Sequence, residues 1–205
     1  MSALSNKGSR SRKARAILAG GIVLGVGAAV TLAAWNDSEF VTGTFNAGHF
    51  SVQGSTDGTA FSDHVSGSPA TLSFSTGFDK LSPSTTVAAP YVLHLDKDTV
   101  YDATVSVNSA ASSGTAASQL TYGIVEVASV ADCTPSAVGV STIVPAGTAL
   151  NSVDGATPFG LTKPVTPGTS PGSDQFLCLQ VTAGAGLVQG SSAVGTWEFR
   201  ATSTS

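Results

Sequence analysis

Alternating apolar and polar residues predict two neighbouring strands near the middle of the chain. In the run 86–95, Tyr91, Leu93 and Leu95 fall on one face. In the run 99–107, Tyr101, Ala103, Val105 and Val107 do the same with a period of two. Because only a polar tip, Asp96-Lys97-Asp98, separates the two runs, the pattern predicts that they form a hairpin.

Shorter or less regular patterns predict the remaining strands. They lie at residues 39–53 (one or two strands), 70–76, 120–129 and 176–182. The chain closes on an amphipathic strand that places one set of apolar or small residues on a single face: Ala193, Gly195, Trp197, Phe199 and Ala201.

Turn and loop signals separate these strands. The segments 54–58 and 109–118 are small and polar, which predicts a turn and a loop. Residues 131–175 hold six of the nine prolines, and 164–173 reads as an exposed loop. Since no helix is predicted after the first 34 residues, the fold class is all-β, an antiparallel two-sheet sandwich.

The first 34 residues follow a different pattern. Five basic side chains precede Ala16–Ala34, a run of nineteen residues without a charge that ends in small residues. A basic start, an apolar centre and a small-residue exit predict a secretory signal helix at residues 1–34, cut between Ala34 and Trp35, with a cut after Ala33 as the near alternative. Residues 35–205 then form one secreted domain, and the membrane is a partner only before cleavage.

A retained membrane anchor is the alternative for this segment. Nineteen apolar residues are long enough to span a bilayer. Gly21 and Gly25 form the GxxxG spacing that packs membrane helices, although glycine-rich signal segments also produce it by chance.

The residues around the cleavage point carry a family resemblance. The runs Thr31-Leu32-Ala33-Ala34-Trp35-Asn36-Asp37 and Thr42-Gly43-Thr44-Phe45-Asn46-Ala47-Gly48 resemble the SipW-dependent, alternate-type signal peptide proteins of Gram-positive bacteria. That family includes the TasA and camelysin-like biofilm matrix proteins. The closing residues 188–202 are also similar to the last strand of the family. The resemblance implies a jelly-roll-like sandwich, processing by signal peptidase, and a structural role at the cell surface or in the extracellular biofilm matrix.

Composition restricts the partners of the secreted part. Residues 35–205 carry four basic and thirteen acidic side chains, a formal charge of −9, so a nucleic-acid partner is not expected. The two cysteines, Cys133 and Cys178, are predicted to form a disulfide outside the cell, with two separate reduced thiols as the alternative.

The segment that cleavage would free is too apolar for a solvated tail. It carries Trp35, Phe40, Val41 and Phe45. We expect it to pair with the open sheet edge of a neighbouring copy, which would give self-association into fibres. The alternative is a strand docked in its own sheet, which would leave a monomer.

No motif in the chain predicts catalysis. Gly168-Thr169-Ser170-Pro171-Gly172 matches GxSxG, but the proline after the serine has no N–H for an oxyanion hole. Asp96, Asp98 and Asp102 lack the spacing of a calcium loop, so we expect a solvated turn.

Histidine could still indicate a metal, because some camelysin-like proteins are described as metallopeptidases. His49, His64 and His94 lie in no HExxH motif and at no helical ligand spacing, so we expect three separate surface or rim histidines. The sequence therefore predicts no enzyme, no metal and no cofactor. A surface adhesin and an extracellular metallopeptidase remain the alternative functions.

Overall fold

The computed structural model of the protein describes residues 13, 15, 38–39, 41–44 and 47–204. The chain divides into two units, Met1–Asn46 and Ala47–Ser205, and the eight strands described lie in the second. They are β1 (Val52–Ser55), β2 (Thr86–Leu95), β3 (Asp102–Ser113), β4 (Leu120–Val127), β5 (Ser141–Ala149), β6 (Phe159–Leu161), β7 (Gln175–Ala183) and β8 (Val194–Thr204). Three 3₁₀ helices, Phe78–Lys80, Ala117–Gln119 and Val130–Asp132, complete the elements.

The strands form two antiparallel sheets. One has the order β1-β2-β7-β4-β5 and the other β6-β3-β8. Alternating side chains from both sheets meet in one core, which contains Leu93, Val105, Ile124 and Leu179. The predicted all-β sandwich is therefore confirmed, while the predicted signal helix lies, except for residues 13 and 15, outside the described residues. Within those residues no helix is long and apolar enough to cross a membrane.

The predicted hairpin of β2 and β3 is wrong. β2 pairs with β7 on one side and, through residues 92–95, with β1 on the other. β3 belongs to the other sheet, where it pairs with β6 and β8. The link after Leu95 crosses from one sheet to the other. Alternation predicts which face of a strand is buried, but it does not identify the neighbouring strand.

The predicted loop at 109–118 is also partly wrong, because β3 continues to Ser113. Its register with β8 shifts between Val107 and Ser109 and then runs on. Beyond the shift, Ala110 lies opposite Trp197. The large indole packs against the core where β3 offers only small side chains, which is why the β3 sequence alone does not show a strand.

The segment 70–76 forms no strand. It follows the edge of β2, where Ser75 N donates to Ala88 O at 2.7 Å and Ser75 Oγ accepts from Ala88 N at 3.1 Å. Leu72 and Phe74 still pack against the core, as their spacing predicts. The apolar pattern identified the buried face correctly, although the predicted strand is absent.

Two other predicted boundaries shift. The expected strand at 39–53 is reduced, in the described residues, to a bridge at His49 and the start of β1. The expected turn at 54–58 begins later, because Gly54 and Ser55 belong to β1. Asp57 then closes the turn by accepting hydrogen bonds from Thr59 N and Ala60 N, and these bonds hold its pKa far below the usual range.

The proline-rich region contains two strands that the sequence did not predict. β5 includes Pro145, and β6 is only three residues long. Proline is tolerated in β5 because this strand lies at the edge of its sheet. The loop 162–174 that follows β6 is largely exposed, as predicted, except that Pro164 is fully buried and Gly172 is buried as well.

A loop closes over the outer face of the larger sheet. The disulfide between Cys133 and Cys178 ties this loop to β7, and Gln180 Nε2 donates to the carbonyls of Thr134, Pro135 and Ala137. Beneath it lies a second, smaller apolar cluster built on Ala88, Val127 and Cys178.

Candidate functional site

In the part of the chain that the structure describes, no strand occupies the position beside the free edge of β8. The strand orders β2-β7-β4-β5 and β6-β3-β8 are those of a jelly roll, in which the first strand completes the second sheet next to the last strand. Here β1 pairs with β2 in the other sheet instead. Among the described residues, β8 pairs with β3 and with no other strand.

The other sheet edges have features that discourage pairing. β1 has only four residues, and Gly54 exchanges backbone hydrogen bonds with Ser62 at 3.0 and 3.1 Å. β5 contains Pro145, and its register with β4 shifts twice. β6 has three residues and covers β3 only at 103–105, and the rest of that edge is β3 itself, whose register with β8 shifts between Val107 and Ser109. Short, covered, bulged or proline-containing edges are common protections against pairing with other chains.

β8 is neither short, covered nor interrupted by proline. It is eleven residues long and every residue pairs with β3, and the one register shift between them is absorbed by the extra residue on β3, between Val107 and Ser109. Its two charged residues, Glu198 and Arg200, point to the outer face and contact each other, with Arg200 Nη2 3.2 Å from Glu198 Oε1. A long, continuous strand of this kind at a sheet edge is a template for an added strand.

The electrostatics of the outer face are set mainly from β3. Glu198 Oε2 accepts hydrogen bonds from Asn108 Nδ2 at 2.7 Å and Ser109 Oγ at 3.0 Å. These bonds, with a smaller contribution from Arg200, hold the pKa of Glu198 below its ordinary value. Glu198 is therefore an ionised carboxylate fixed to β3. Arg200 lies beside it with a side chain that is 60% exposed.

The inner face of β8 is aromatic and only partly buried. Trp197 packs against Tyr122 with ring centroids 5.3 Å apart, and Phe199 packs against Tyr91 at 5.6 Å. β8 thus crosses over strands β4 and β2 of the facing sheet. A further strand beside β8 would cover apolar surface that these rings leave partly exposed.

The described chain enters the domain near the carboxyl end of β8. His49 forms a parallel bridge with Thr99, and Thr99 Oγ1 bonds to both the N–H and the carbonyl of Ser51. β3 begins three residues after Thr99, where Asp102 lies opposite Thr204, near the carboxyl end of β8.

The predicted processing and donor residues fall mostly outside the described part. Ala34, Trp35, Phe40 and Phe45 all lie outside it. Val41 is described, and its side chain is 98% exposed. The processing site and the donor segment therefore stay predictions.

The predicted disulfide is confirmed. Cys133 and Cys178 are joined, and the structure contains no free cysteine in its described residues. Cys178 is fully buried on β7. The bond lies on the outer face of the larger sheet, while β8 belongs to the other sheet.

The histidines are separated from one another, but His94 does not lie at the surface. It is 4% exposed, and its ring stacks on Phe61 with centroids 3.8 Å apart. Its Nδ1 lies 2.9 Å from Asp174 Oδ1. The expectation of a surface or rim position is wrong for this residue, because the loop carrying Phe61 folds back over β2. Within the described chain, no three metal-ligating side chains come together.

The other two histidines and the aspartate group make local contacts. His49 Nε2 lies 3.4 Å from Asp96 Oδ1, and His64 Nε2 lies 3.2 Å from Ser62 Oγ. Asp102 accepts a hydrogen bond from the backbone of Lys163, away from Asp96. Asp98 contacts the adjacent Lys97.

The GxSxG match lies in the loop between β6 and β7. There Gly168 N donates to Lys97 O at 2.7 Å, and no described helix follows the serine. This is not the strand–turn–helix setting that a nucleophile elbow requires.

Sequence reasoning missed the accepting surface. The alternation in 193–201 correctly predicted the inner face of β8, but which strand lies at an edge depends on the order of the whole sheet. The scarcity of lysine and proline in 194–204 was the one available signal. No protein-family model and no curated protein matches this chain.

Proposed function

We propose that this chain is a secreted structural protein of the cell surface or extracellular matrix that assembles into fibres by strand donation. The open place beside β8 carries the proposal. The donor is the segment Trp35–Phe45 of a neighbouring copy, and the acceptor is the edge of β8.

Chain length supports donation between copies rather than within one. A jelly roll places its first strand antiparallel to the last, so Phe45 would lie at the Val194 end of β8. The chain enters at the opposite end, near Thr204, because His49 is bridged to Thr99. The eleven residues of β8 extend for about 34 Å. The link from Phe45 to His49 reaches at most about 14 Å, so the same chain cannot fill the place in this direction.

Repeated donation gives a fibre because the contact is heterologous. Each copy would offer one donor segment and one acceptor edge, and such a contact propagates unless the rotation closes a ring. Export would control the process, since a signal segment held in the membrane keeps the donor segment attached until cleavage.

The extracellular location has independent support. A disulfide between Cys133 and Cys178 is consistent with an oxidising compartment. The resemblance of the segment around Ala34 to alternate-type signal peptides points to the same place and to a matrix role. Strands and edges alone do not name a biological role, so the matrix assignment depends on that resemblance.

The test is assembly of the secreted protein during slow concentration, followed by light scattering and negative-stain electron microscopy. We expect unbranched fibres above a critical concentration. Thr196→Glu with Thr202→Glu adds two charges to the outer face of β8 and is expected to raise that concentration at least about tenfold, because charged edges resist pairing. Ala111→Glu with Thr104→Glu is the matched control.

The control places the same charges on β3, directly opposite the same two positions of β8. Because the control charges lie one strand away from the proposed acceptor edge of β8, the control variant should assemble nearly as well as the native protein. A native protein that stays monomeric at every concentration would contradict the proposal. So would equal inhibition by both double variants.

A further inference from the structure

We propose that an ion pair between Arg200 of one copy and Glu39 of the next sets the register of the donated strand. This inference depends on the proposed function. Arg200 is the single cation of β8, and Asp37 and Glu39 are the two charged residues of the segment 35–45. The partner is therefore a second copy of this chain, selected by opposite charge.

The cost of burying charge determines which face of the sheet carries the donor's carboxylates. The side chains of Trp197 and Phe199 on β8 point inward to the core. Residues that lie opposite each other in an antiparallel pair have their side chains on the same face of the sheet. Every register that places Glu39 opposite an inward residue turns Asp37 inward too, because the two are two residues apart. Burying two unpaired carboxylates against aromatic rings is costly, so both must face outward.

Length then selects among the remaining registers. The segment 35–45 and β8 both have eleven residues. Full antiparallel overlap places Glu39 opposite Arg200 on the outer face and Phe40 opposite Phe199 on the inner face. It also brings Phe45, which lies on the outer face with Trp35 and Val41, to the apolar Val194, a residue that is 64% exposed.

The neighbouring registers are less favourable. A shift of two residues in one direction puts Glu39 opposite Glu198, which Asn108 and Ser109 hold as a carboxylate. Like charges directly opposite each other in a sheet are destabilising. A shift in the other direction puts Glu39 opposite Thr202, and either shift leaves one end of the donor beyond β8.

Charge reversal gives a test that needs no knowledge of the fibre's detailed structure. Arg200→Glu alone and Glu39→Arg alone each create a like-charge pair at every contact, and each should assemble with a critical concentration raised about tenfold. When the two variants are mixed in equal amounts, they can alternate along the fibre. Each contact between unlike variants then joins a positive and a negative side chain at the two positions. The mixture should therefore form fibres at nearly the native concentration.

Lys163→Glu is the matched control, since it reverses an exposed cation outside β8. It should leave assembly unchanged and should not rescue the Glu39→Arg variant. At about 1 M salt the differences among the variants should shrink, because exposed charge pairs are screened. Circular dichroism should show the same β-sheet content in every variant.

The outcomes separate the two proposals. Native protein that never forms fibres overturns the proposed function and this inference with it. Native fibres combined with a mixture that assembles no better than the single variants overturn the register alone. Rescue by Lys163→Glu would show an effect of net charge and would also contradict the specific pair.

Discussion

Deleting Trp35–Thr44 is expected to convert the assembling protein into a soluble, folded monomer. The eight described strands and the core all lie in Ala47–Ser205, so the deletion removes the donor without removing a strand of the domain. Sedimentation velocity and far-UV circular dichroism measure the two parts of this result. Critical concentration should rise beyond the reach of the experiment, because the acceptor edge of β8 then has no strand to bind.

A scrambled version of the same ten residues is the matched control for the deletion. It keeps the length and apolar content of the segment but destroys the placement of Phe40 and Glu39. If fibres form by strand pairing, the scrambled protein should assemble poorly. Fibres from the deletion variant, or a deletion variant that is unfolded, would show that the segment has a different role.

Removing the disulfide is expected to cost about 4 kcal/mol of unfolding free energy, because it closes a long loop in the unfolded chain. The two cysteines are 45 residues apart in sequence. For a domain of this size the loss corresponds to a fall in Tm of roughly 10 °C. The double variant Cys133→Ala, Cys178→Ala provides the measurement by denaturant unfolding and calorimetry.

Reduced native protein separates the cross-link from the side chains. It should lose nearly as much stability as the double alanine variant, and the reductant should have no effect on that variant. Because the disulfide lies on the outer face of the larger sheet, the critical concentration for assembly should change little while the domain stays folded. A loss below about 1 kcal/mol would mean that Gln180 and the apolar cluster hold the loop without the bond.

Strands with large alternating side chains could be predicted from the sequence, and those without them could not. β2, β7 and β8 carry Leu, Val, Trp and Phe on their inner faces, and their positions were predicted within a few residues. The end of β3 at 109–113 contains only alanine and serine. The large side chain in this part of the sheet is that of Trp197, which lies opposite Ala110 on the neighbouring strand β8. β5 was hidden by Pro145, which argues against a strand unless its edge position is known.

Pairing was the less predictable part of the fold. The polar tip Asp96-Lys97-Asp98 has the composition of a hairpin turn, yet it links two sheets, because β2 finds its neighbours far away in sequence. The same limit applied to His94. Its burial depends on the loop that brings Phe61 over β2, and nothing close to the histidine in sequence indicates that contact.

For the candidate site too, one part could be predicted from the sequence and the other could not. The donor segment was visible in the sequence, since Trp35, Phe40, Val41 and Phe45 follow a predicted cleavage point. The acceptor edge was not, because it exists only through the order β6-β3-β8 and the protection of the other edges. A sequence can show that a segment needs a partner surface before it shows which surface is open.

Hydrogen exchange on β8 tests the central claim most directly. A synthetic peptide of residues 35–45 is added to the Trp35–Thr44 deletion variant, and amide exchange is followed by NMR. We expect protection at every second amide within 194–204, since alternate N–H groups of an edge strand point to the added strand. The scrambled peptide should give none. Binding that leaves the 194–204 amides unchanged, or protects β1 or β5 instead, would contradict strand donation to β8.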